Sequence, residues 1–319
     1  MTRMLKPEHL LGCLWDPGSR MLNLPTALAD AFKSAVDARS LRGLLEDKGE
    51  DGAIGGESEE ETLKHFVNRF DGSSARLQLA FLDPHDQLAD TSDIILSRLS
   101  GGVTCLIDAP CGTGAGFLSL LLTVSRLREL EVLPRVRLDV RLVGADASSV
   151  ARNIAEALLE SVRTTLEDQA IFVEAEWSPW DVASEASTVA LNKRAVIKSD
   201  GCNSNFLLVA NFSGYLIGEK KIKTAAPQLY ELFKYFSGDN SVSVWVEPAT
   251  KAATFHDGML RWIFSRATSE WAWFARLAKG LGDAFFAFRS EAKFRPILRV
   301  GVATVRICVS HMRLTSNDR

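Results

Sequence analysis

Short apolar runs alternate with longer stretches of mixed apolar and polar positions along most of this chain. Apolar runs of four to eight residues favour buried strands, and the mixed stretches between them favour helices. Strands that alternate with helices predict a doubly wound α/β fold with a mainly parallel sheet. The predicted strands are the run ending at Asp108, Arg137–Asp146, Ala170–Ala175, Phe206–Ala210, Val242–Val246, Ala284–Arg289 and Val300–Val309.

The first predicted strand ends in a carboxylate and turns through three glycines into a helix. The sequence there is Leu106-Ile107-Asp108-Ala109-Pro110-Cys111-Gly112-Thr113-Gly114-Ala115-Gly116, and the helix is predicted from near Ala115 toward Leu130. Glycine lets the backbone approach a ligand closely and adopt positive φ. The glycine spacing is GxGxG, with an acid before it, whereas a dinucleotide site has GxGxxG and an acid about 20 residues later.

This turn resembles the nucleoside-binding turn of the class I S-adenosylmethionine-dependent methyltransferases. The resemblance implies a Rossmann-like fold with a seven-stranded, mostly parallel sheet and a closing antiparallel hairpin, and it implies S-adenosyl-L-methionine as the cofactor. The acid before the glycines would attract the ammonium group of the methionyl part and repel a pyrophosphate. The turn residues implied to bind the cofactor are Asp108, Pro110, Cys111, Gly112, Thr113, Gly114 and Gly116.

The next two strands are implied to bind the ribose and the adenine. Asp146 ends the second strand and is the expected ligand of the ribose diol, with Ala147 beside it. The alternative is that Asp146 only caps the helix that begins near Ser148. After the third strand, Asp181 would accept a hydrogen bond from the exocyclic amine, with Trp180 or Val182 against the ring.

The residues after the fourth and fifth strands would line the reaction centre. Asn211 is expected both to bind the cofactor and to face the transferable methyl group. The candidate catalytic residues are Asn211, Tyr215, Glu247 and His256. His256 would act as a general base, because an unperturbed histidine has a pKa near 6.5. The alternative for His256 is a surface pair with Asp257. His85 is a second candidate for the same role, and the alternative is that it only forms part of a turn.

The resemblance implies a class I methyltransferase domain at residues 100–319, preceded by an N-terminal helical extension at residues 1–99. Residues 46–61 hold eight acids against Lys48 alone, and with their glycines they predict a flexible acidic linker. Helical regions are predicted on either side of this linker, at about Pro25–Leu45 and Glu60–Leu99. The resemblance implies that this helical extension covers the cofactor and helps to form the substrate pocket.

Composition and cysteine spacing indicate the cellular compartment in which we expect the protein. The chain has 319 residues, of which 46% are hydrophobic, and a formal net charge of −3. No apolar run approaches the ~20 residues of a membrane span, and the first residues lack the apolar core of a secretory signal. The five cysteines form no CxxC pair, so neither a metal site nor a disulfide framework is predicted. We therefore expect a cytoplasmic protein with no membrane partner.

The methyl acceptor is not identified by any motif. Residues 251–319 contain twelve basic residues against five acids, interleaved with aromatics, which makes RNA a candidate acceptor. The alternative is a helix packed on the sheet with a solvated basic face. The run Val244–Thr250, together with His65–Leu79 ahead of the glycine turn, also resembles methyltransferase-like proteins associated with the small ribosomal subunit, although the cysteine ligands of those proteins are missing here.

Four functions therefore stay open: methylation of RNA, methylation of a small molecule or protein, an inert methyltransferase-like scaffold, and a nicotinamide-dependent oxidoreductase. The Asn/Asp-Pro-Pro-Tyr/Phe loop that binds a planar amine is replaced by Asn211-Phe212-Ser213-Gly214, which disfavours methylation of the adenine amine. The oligomeric state cannot be inferred from the sequence.

Overall fold

A nine-stranded mixed sheet organises the protein. The computed structural model describes residues 3–10, 12–45, 58–238, 240–249 and 288–314. Its strands are β1 Trp15–Asp16, β2 Met21–Leu22, β3 Gly102–Asp108, β4 Leu138–Asp146, β5 Ile171–Pro179, β6 Ser204–Ala210, β7 Ser241–Pro248, β8 Phe288–Phe294 and β9 Ala303–Leu314. The helices in these ranges are α1 Thr26–Ala38, α2 Glu59–Leu82, α3 Ala89–Leu99, α4 Ala115–Glu129, α5 Ser149–Glu167, α6 Glu185–Ser199, α7 Ser213–Gly218 and α8 Ile222–Tyr235.

The strand order is β1-β2-β8-β9-β7-β6-β3-β4-β5. The five strands from β5 to β7 run parallel to their neighbours, whereas β9 lies antiparallel between β7 and β8. The order reverses at β3, because the chain continues outward to β4 and β5 on one side and then returns to β6 on the other. This point is the topological switch, where ligands of open α/β sheets bind beyond the carboxyl ends of the strands.

The predicted count of seven strands is wrong, because two short strands of the N-terminal segment join the sheet. β1 and β2 have two residues each, too few to produce a recognisable hydrophobic period, and β2 pairs with β8. The predicted closing hairpin is also misplaced. The described part of its first strand is β8 at Phe288–Phe294, which extends beyond the predicted end at Arg289, and β8 is not the edge of the sheet.

The helices cover both faces of the sheet. Leu106, Leu208 and Val244 point to one face and pack with α1 to α5, whereas Ile107, Leu207 and Trp245 point to the other and pack with α6 and α8. Adjacent residues of one strand therefore belong to different cores, which explains why β3, β6 and β7 are buried along most of their length.

The 24-residue helix α2 crosses the carboxyl edge of the sheet. It begins with a capping box, in which the Ser58 hydroxyl and the Glu61 carboxylate each accept a hydrogen bond from the other residue's backbone N–H. Near its start, the Thr62 hydroxyl lies 3.2 Å from that of Ser148, at the beginning of α5. Further along, Arg76 donates a hydrogen bond to Asn211 just after β6. The helix thus spans the switch point from β4 to β6.

The predicted helical regions of the N-terminal segment contain α1, a 3-10 turn at Leu41–Leu44, α2 and α3. Most of the acidic linker, residues 46–57, lies outside the described residues. None of the described helices is both long enough and apolar enough to cross a membrane.

Candidate functional site

The glycine turn leaves one open position and one packed position. Gly112 and Gly114 both have positive φ, at 51° and 90°, which only glycine adopts easily. A Cβ at Gly112 would meet no atom within 4 Å, so the backbone there is open to a ligand. A Cβ at Gly114 would lie 3.0 Å from the ring of Phe117 and 3.2 Å from Ala155. Gly112 therefore leaves its backbone accessible to a ligand, whereas Gly114 lets α4 begin close to α5.

A backbone hydrogen bond fixes the turn between β3 and α4. The N–H of Cys111 donates to the carbonyl of Ala145 at 2.8 Å, which ties the turn to the end of β4. The side chains of Cys111 and Thr113 are buried, and Pro110 is half-buried. We call the space beyond the carboxyl ends of β4, β3 and β6 the crevice. Of the predicted turn ligands, Pro110 and Gly112 are thus the ones at its surface.

Asp108 lies beneath the turn and does not line the crevice. Its side chain is 1% exposed, and one carboxyl oxygen accepts a hydrogen bond from the N–H of Phe117 at 3.1 Å. The other oxygen is buried without a hydrogen-bond partner among the described residues. Burial raises the pKa of this carboxyl to about 8, and the charge of Asp146 contributes. At neutral pH the carboxyl is therefore mostly protonated.

Gly116 lies directly against the buried carboxyl group of Asp108. A Cβ there would lie 2.7 Å from a carboxyl oxygen of Asp108 and 3.0 Å from the side chain of Leu208. The third glycine of the motif therefore makes room for Asp108 under the helix, and its Cα does not face the crevice.

Asp146 connects two turns at the end of β4. One carboxylate oxygen accepts from the N–H of Gly112 at 3.0 Å, and the other accepts from the N–H of Ser148 at 2.8 Å. Ser148 itself caps α5, because its hydroxyl accepts from the N–H of Ala151. Burial raises the pKa of Asp146, while these N–H donors and Arg152 oppose that rise. The half-buried carboxylate is held in place beside the exposed Ala147.

The predicted adenine residues differ in their exposure. Trp180 is buried and its indole N–H donates to the Thr188 hydroxyl at 3.3 Å; Val182 is buried as well. Asp181 is exposed and accepts from the N–H of Ala183 at 2.9 Å. Asp181 is thus the one of these three side chains that can reach a ligand without a rearrangement.

The residues predicted near the reaction centre form a connected network. Asn211 has a positive φ of 54° after β6, and its side-chain oxygen accepts from Arg76 at 2.7 Å. Glu247 is buried at the end of β7, where one oxygen accepts from the N–H groups of Phe212 and Ser213 and from the indole of Trp245. Glu247 therefore holds the loop that carries Asn211.

Tyr215 lies on α7, close to this loop. Its ring stacks on Phe212 at 5.8 Å between centroids, and its hydroxyl accepts from Lys221 at 2.6 Å. His85, outside this site, approaches the carbonyl of Glu291 and packs against Trp15. His256 and Asp257 lie outside the described residues, as does most of the basic and aromatic C-terminal region.

Sequence reasoning missed three basic side chains of α2 and a tryptophan of β5. His65, Arg69 and Arg76 follow each other at four and seven residues, which places them on one face of the helix. This spacing is the sequence signal that could have identified the basic face of the helix. Trp177 pairs with Gly144 across β4 and β5, and a Cβ at Gly144 would lie 2.3 Å from its ring.

Comparisons with known proteins provide little further guidance. No family model matches the chain, and no curated protein matches it. One similar solved structure belongs to work on the conversion of a disulfide bond into a thioacetal group during echinomycin biosynthesis. It has 12% identity and a TM-score of 0.34, with 70% of this chain and 79% of that chain covered.

A second solved structure is a Methanococcus maripaludis protein proposed to be an S-adenosyl-L-methionine-dependent methyltransferase. It has 12% identity and a TM-score of 0.27, with 78% of this chain and 93% of that chain covered. Neither structure is similar enough to this chain to assign it a function.

Proposed function

We propose that this protein transfers a methyl group from S-adenosyl-L-methionine to an acceptor. The observation that carries the proposal is the Asp146 carboxylate at the switch point, which is held between the N–H groups of Gly112 and Ser148. A carboxylate in this position suits the two hydroxyl groups of a ribose, because each oxygen has a further lone pair with which to accept a hydrogen bond.

The open backbone at Gly112 fits a nucleoside lying across the turn. A side chain at this position would occupy the space that faces the crevice, and glycine leaves it free. Gly112 and Asp146 would hold the ribose, and Asp181 would accept from the adenine amine. The cofactor, when bound, supplies a methyl group on a sulfonium, and the protein's task is then to hold the acceptor in line with it.

Asp108 acts indirectly in this proposal. Because its carboxyl is buried and bonded to the N–H of Phe117, it supports the turn and the start of α4. Asn211 lies where the reaction centre would be, with its amide oriented by Arg76. Glu247 positions the loop of Asn211 through two backbone N–H groups, so we assign it a positioning role and not that of a base.

The GxGxG spacing favours the sulfonium cofactor over a nicotinamide dinucleotide, whose turn has GxGxxG. The buried Asp108 presents no charge at the crevice, so it does not contribute to this choice. The acceptor is a small molecule, a protein or RNA, and a radiolabelled methyl search of these three fractions would distinguish them. An inert scaffold would bind the cofactor weakly and label none of them.

The proposal is tested by replacing Asp146. In Asp146→Ala, we expect the affinity for S-adenosylhomocysteine to fall between about tenfold and a hundredfold, because two hydrogen bonds to a charged group are lost. Titration calorimetry measures this affinity. The matched control is Asp139→Ala, which removes an exposed acid from the same strand, at the end far from the crevice.

Both variants need circular dichroism and thermal unfolding, since Asp146 also holds Gly112 and Ser148. Asp146→Asn keeps one oxygen that accepts a hydrogen bond, and it should fold as the wild type does while losing affinity. Wild-type affinity in folded Asp146→Ala and Asp146→Asn would refute the assignment of the ribose site.

A further inference from the structure

A basic face of α2 borders the crevice next to Asn211. It consists of His65, Arg69 and Arg76, all half-buried. Their spacing of four and seven residues keeps them on one side of the helix, and Arg69 and Arg76 are two turns, or about 10 Å, apart along its axis. Arg76 donates to the side-chain oxygen of Asn211 at 2.7 Å, which places the basic face at the carboxyl end of β6.

The two arginines lack a carboxylate partner within the described part of the chain. Arg69 makes no hydrogen bond or ion pair with any described residue, and Arg76 bonds only to Ser73 and Asn211. The acids close enough to influence Arg76 are Glu247 and Asp71, whose negative charges raise its pKa.

Those two acids already serve other groups. One oxygen of Glu247 accepts from three donors, and Asp71 accepts from the N–H groups of Gly72 and Ile297 at 2.7 and 2.9 Å. Neither acid lies within ion-pair distance of Arg69 or Arg76 among the described contacts. Arginine presents a planar fork of donors that matches a carboxylate, and a half-buried guanidinium that no carboxylate contacts directly is costly.

The electrostatics of His65 agree with an excess of positive charge here. Burial, together with the charges of Arg69 and Arg76, lowers the pKa of His65 to about 4. The imidazole is therefore neutral at pH 7 and adds a hydrogen-bond donor without adding charge. Burial also lowers the pKa of Arg76 to about 10, which leaves it protonated at that pH.

Building on the proposed function, we propose that Arg69 and Arg76 form a subsite that binds a carboxylate beside the methyl-transfer centre. The carboxylate belongs to the methionyl end of the donor or to the acceptor, and both would reach the crevice next to Asn211. In either case the contact between Arg76 and Asn211 couples the bound anion to the residue that faces the transferred methyl group.

The first test compares two ligands that differ in the methionyl part. S-adenosylhomocysteine has the carboxylate, whereas 5′-methylthioadenosine has the same nucleoside and a thioether without it. Titration calorimetry is done on the wild type, Arg69→Gln and the control Lys193→Gln, which removes an exposed cation on α6 at the other face of the sheet. Arg69→Gln is preferred because its side chain supports no described hydrogen bond.

If the donor supplies the carboxylate, Arg69→Gln lowers the affinity for S-adenosylhomocysteine about tenfold or more and leaves that for 5′-methylthioadenosine unchanged. Lys193→Gln changes neither. If the acceptor supplies it, Arg69→Gln binds both nucleosides as the wild type does, and the second test locates the anion.

The second test follows the assigned imidazole resonances of His65 by NMR while sodium acetate is added at constant ionic strength. A subsite for the acceptor gives a saturable shift in protein filled with S-adenosylhomocysteine, and the shift is lost in Arg69→Gln. A subsite for the donor gives this shift only in protein that is empty or filled with 5′-methylthioadenosine.

The inference is overturned if Arg69→Gln binds S-adenosylhomocysteine with wild-type affinity and acetate shifts His65 in no state of the protein. The proposed function fails separately, if the wild type binds neither nucleoside while acetate still shifts His65.

Discussion

At the scale of single residues, the crevice is built on two carboxyl groups with different surroundings. Asp146 is half-buried; burial raises its pKa, and the two backbone N–H groups from which it accepts oppose that rise. Asp108 is fully buried with a single N–H donor, and burial raises its pKa to about 8. One acid is therefore poised to meet a ligand, whereas the other supports the turn in a mostly protonated state.

The buried state of Asp108 predicts how stability depends on pH. Between the ordinary pKa of 3.8 and the folded value of about 8, the folded protein keeps a proton that the unfolded chain releases. The contribution of this group to stability is therefore full at low pH and is lost as the pH rises through this window. Asp108→Asn keeps the acceptor for Phe117 and removes the titration.

From pH 5.5 to 8.5, we expect the free energy of unfolding of Asp108→Asn to rise relative to the wild type by roughly 3 kcal/mol. Urea denaturation at several pH values measures the difference. Asp139→Asn is the control, because Asp139 is paired with Arg137 and its pKa is lowered, so it stays charged over this range. A difference that stays constant with pH would contradict the buried, protonated state of Asp108.

The sequence predicted the residues of the turn better than the residues that face it. Glycine spacing identifies Gly112 and Gly114 because glycine adopts their positive φ with the least strain. The burial of Asp108 and Gly116 against each other could not be predicted, since it depends on how α4 packs over β3. Likewise, Trp177 fills the space over Gly144 only once β4 and β5 pair in this register.

At the scale of elements, the placement of α2 decides which side chains border the crevice. The sequence predicted a helical region here, but the basic face of His65, Arg69 and Arg76 became a candidate site only when the helix was placed across β4 and β6. The sequence pattern also gave the wrong position for β8, in which the exposed Arg289, Glu291 and Lys293 alternate with buried residues. A search for continuous apolar runs misses such a strand, which explains its misplacement.

The capping box of α2 predicts a measurable loss of stability in Ser58→Ala. This variant removes the hydroxyl that accepts from the N–H of Glu61, and we expect a loss of about 1 kcal/mol in the free energy of unfolding. Hydrogen exchange should become faster in the first turn of α2. The control is Ser199→Ala, whose hydroxyl bonds to the carbonyl of Val196 in the last turn of α6.

We expect Ser199→Ala to change stability by less than about 0.5 kcal/mol. An equal loss in both variants, or no faster exchange at the start of α2 in Ser58→Ala, would mean that the capping box does not hold this end of the helix over the crevice.

At the scale of the whole molecule, topology explains why the site lies where it does. Parallel strands bring all their carboxyl ends to one edge, and the reversal of strand order at β3 opens a crevice between β4 and β6. The alternation of strands and helices was sufficient to predict this parallel core. The two strands of the N-terminal segment were not predictable, because their pairing with β8 follows from tertiary contact and not from local pattern.

The central claim is that the crevice takes the sulfonium nucleoside and not a dinucleotide. The most direct measurement is isothermal titration of the purified protein with S-adenosylmethionine, S-adenosylhomocysteine and NAD in parallel. The account predicts micromolar binding of the first two and no binding of NAD. Binding of NAD alone, or of none of the three, would contradict it.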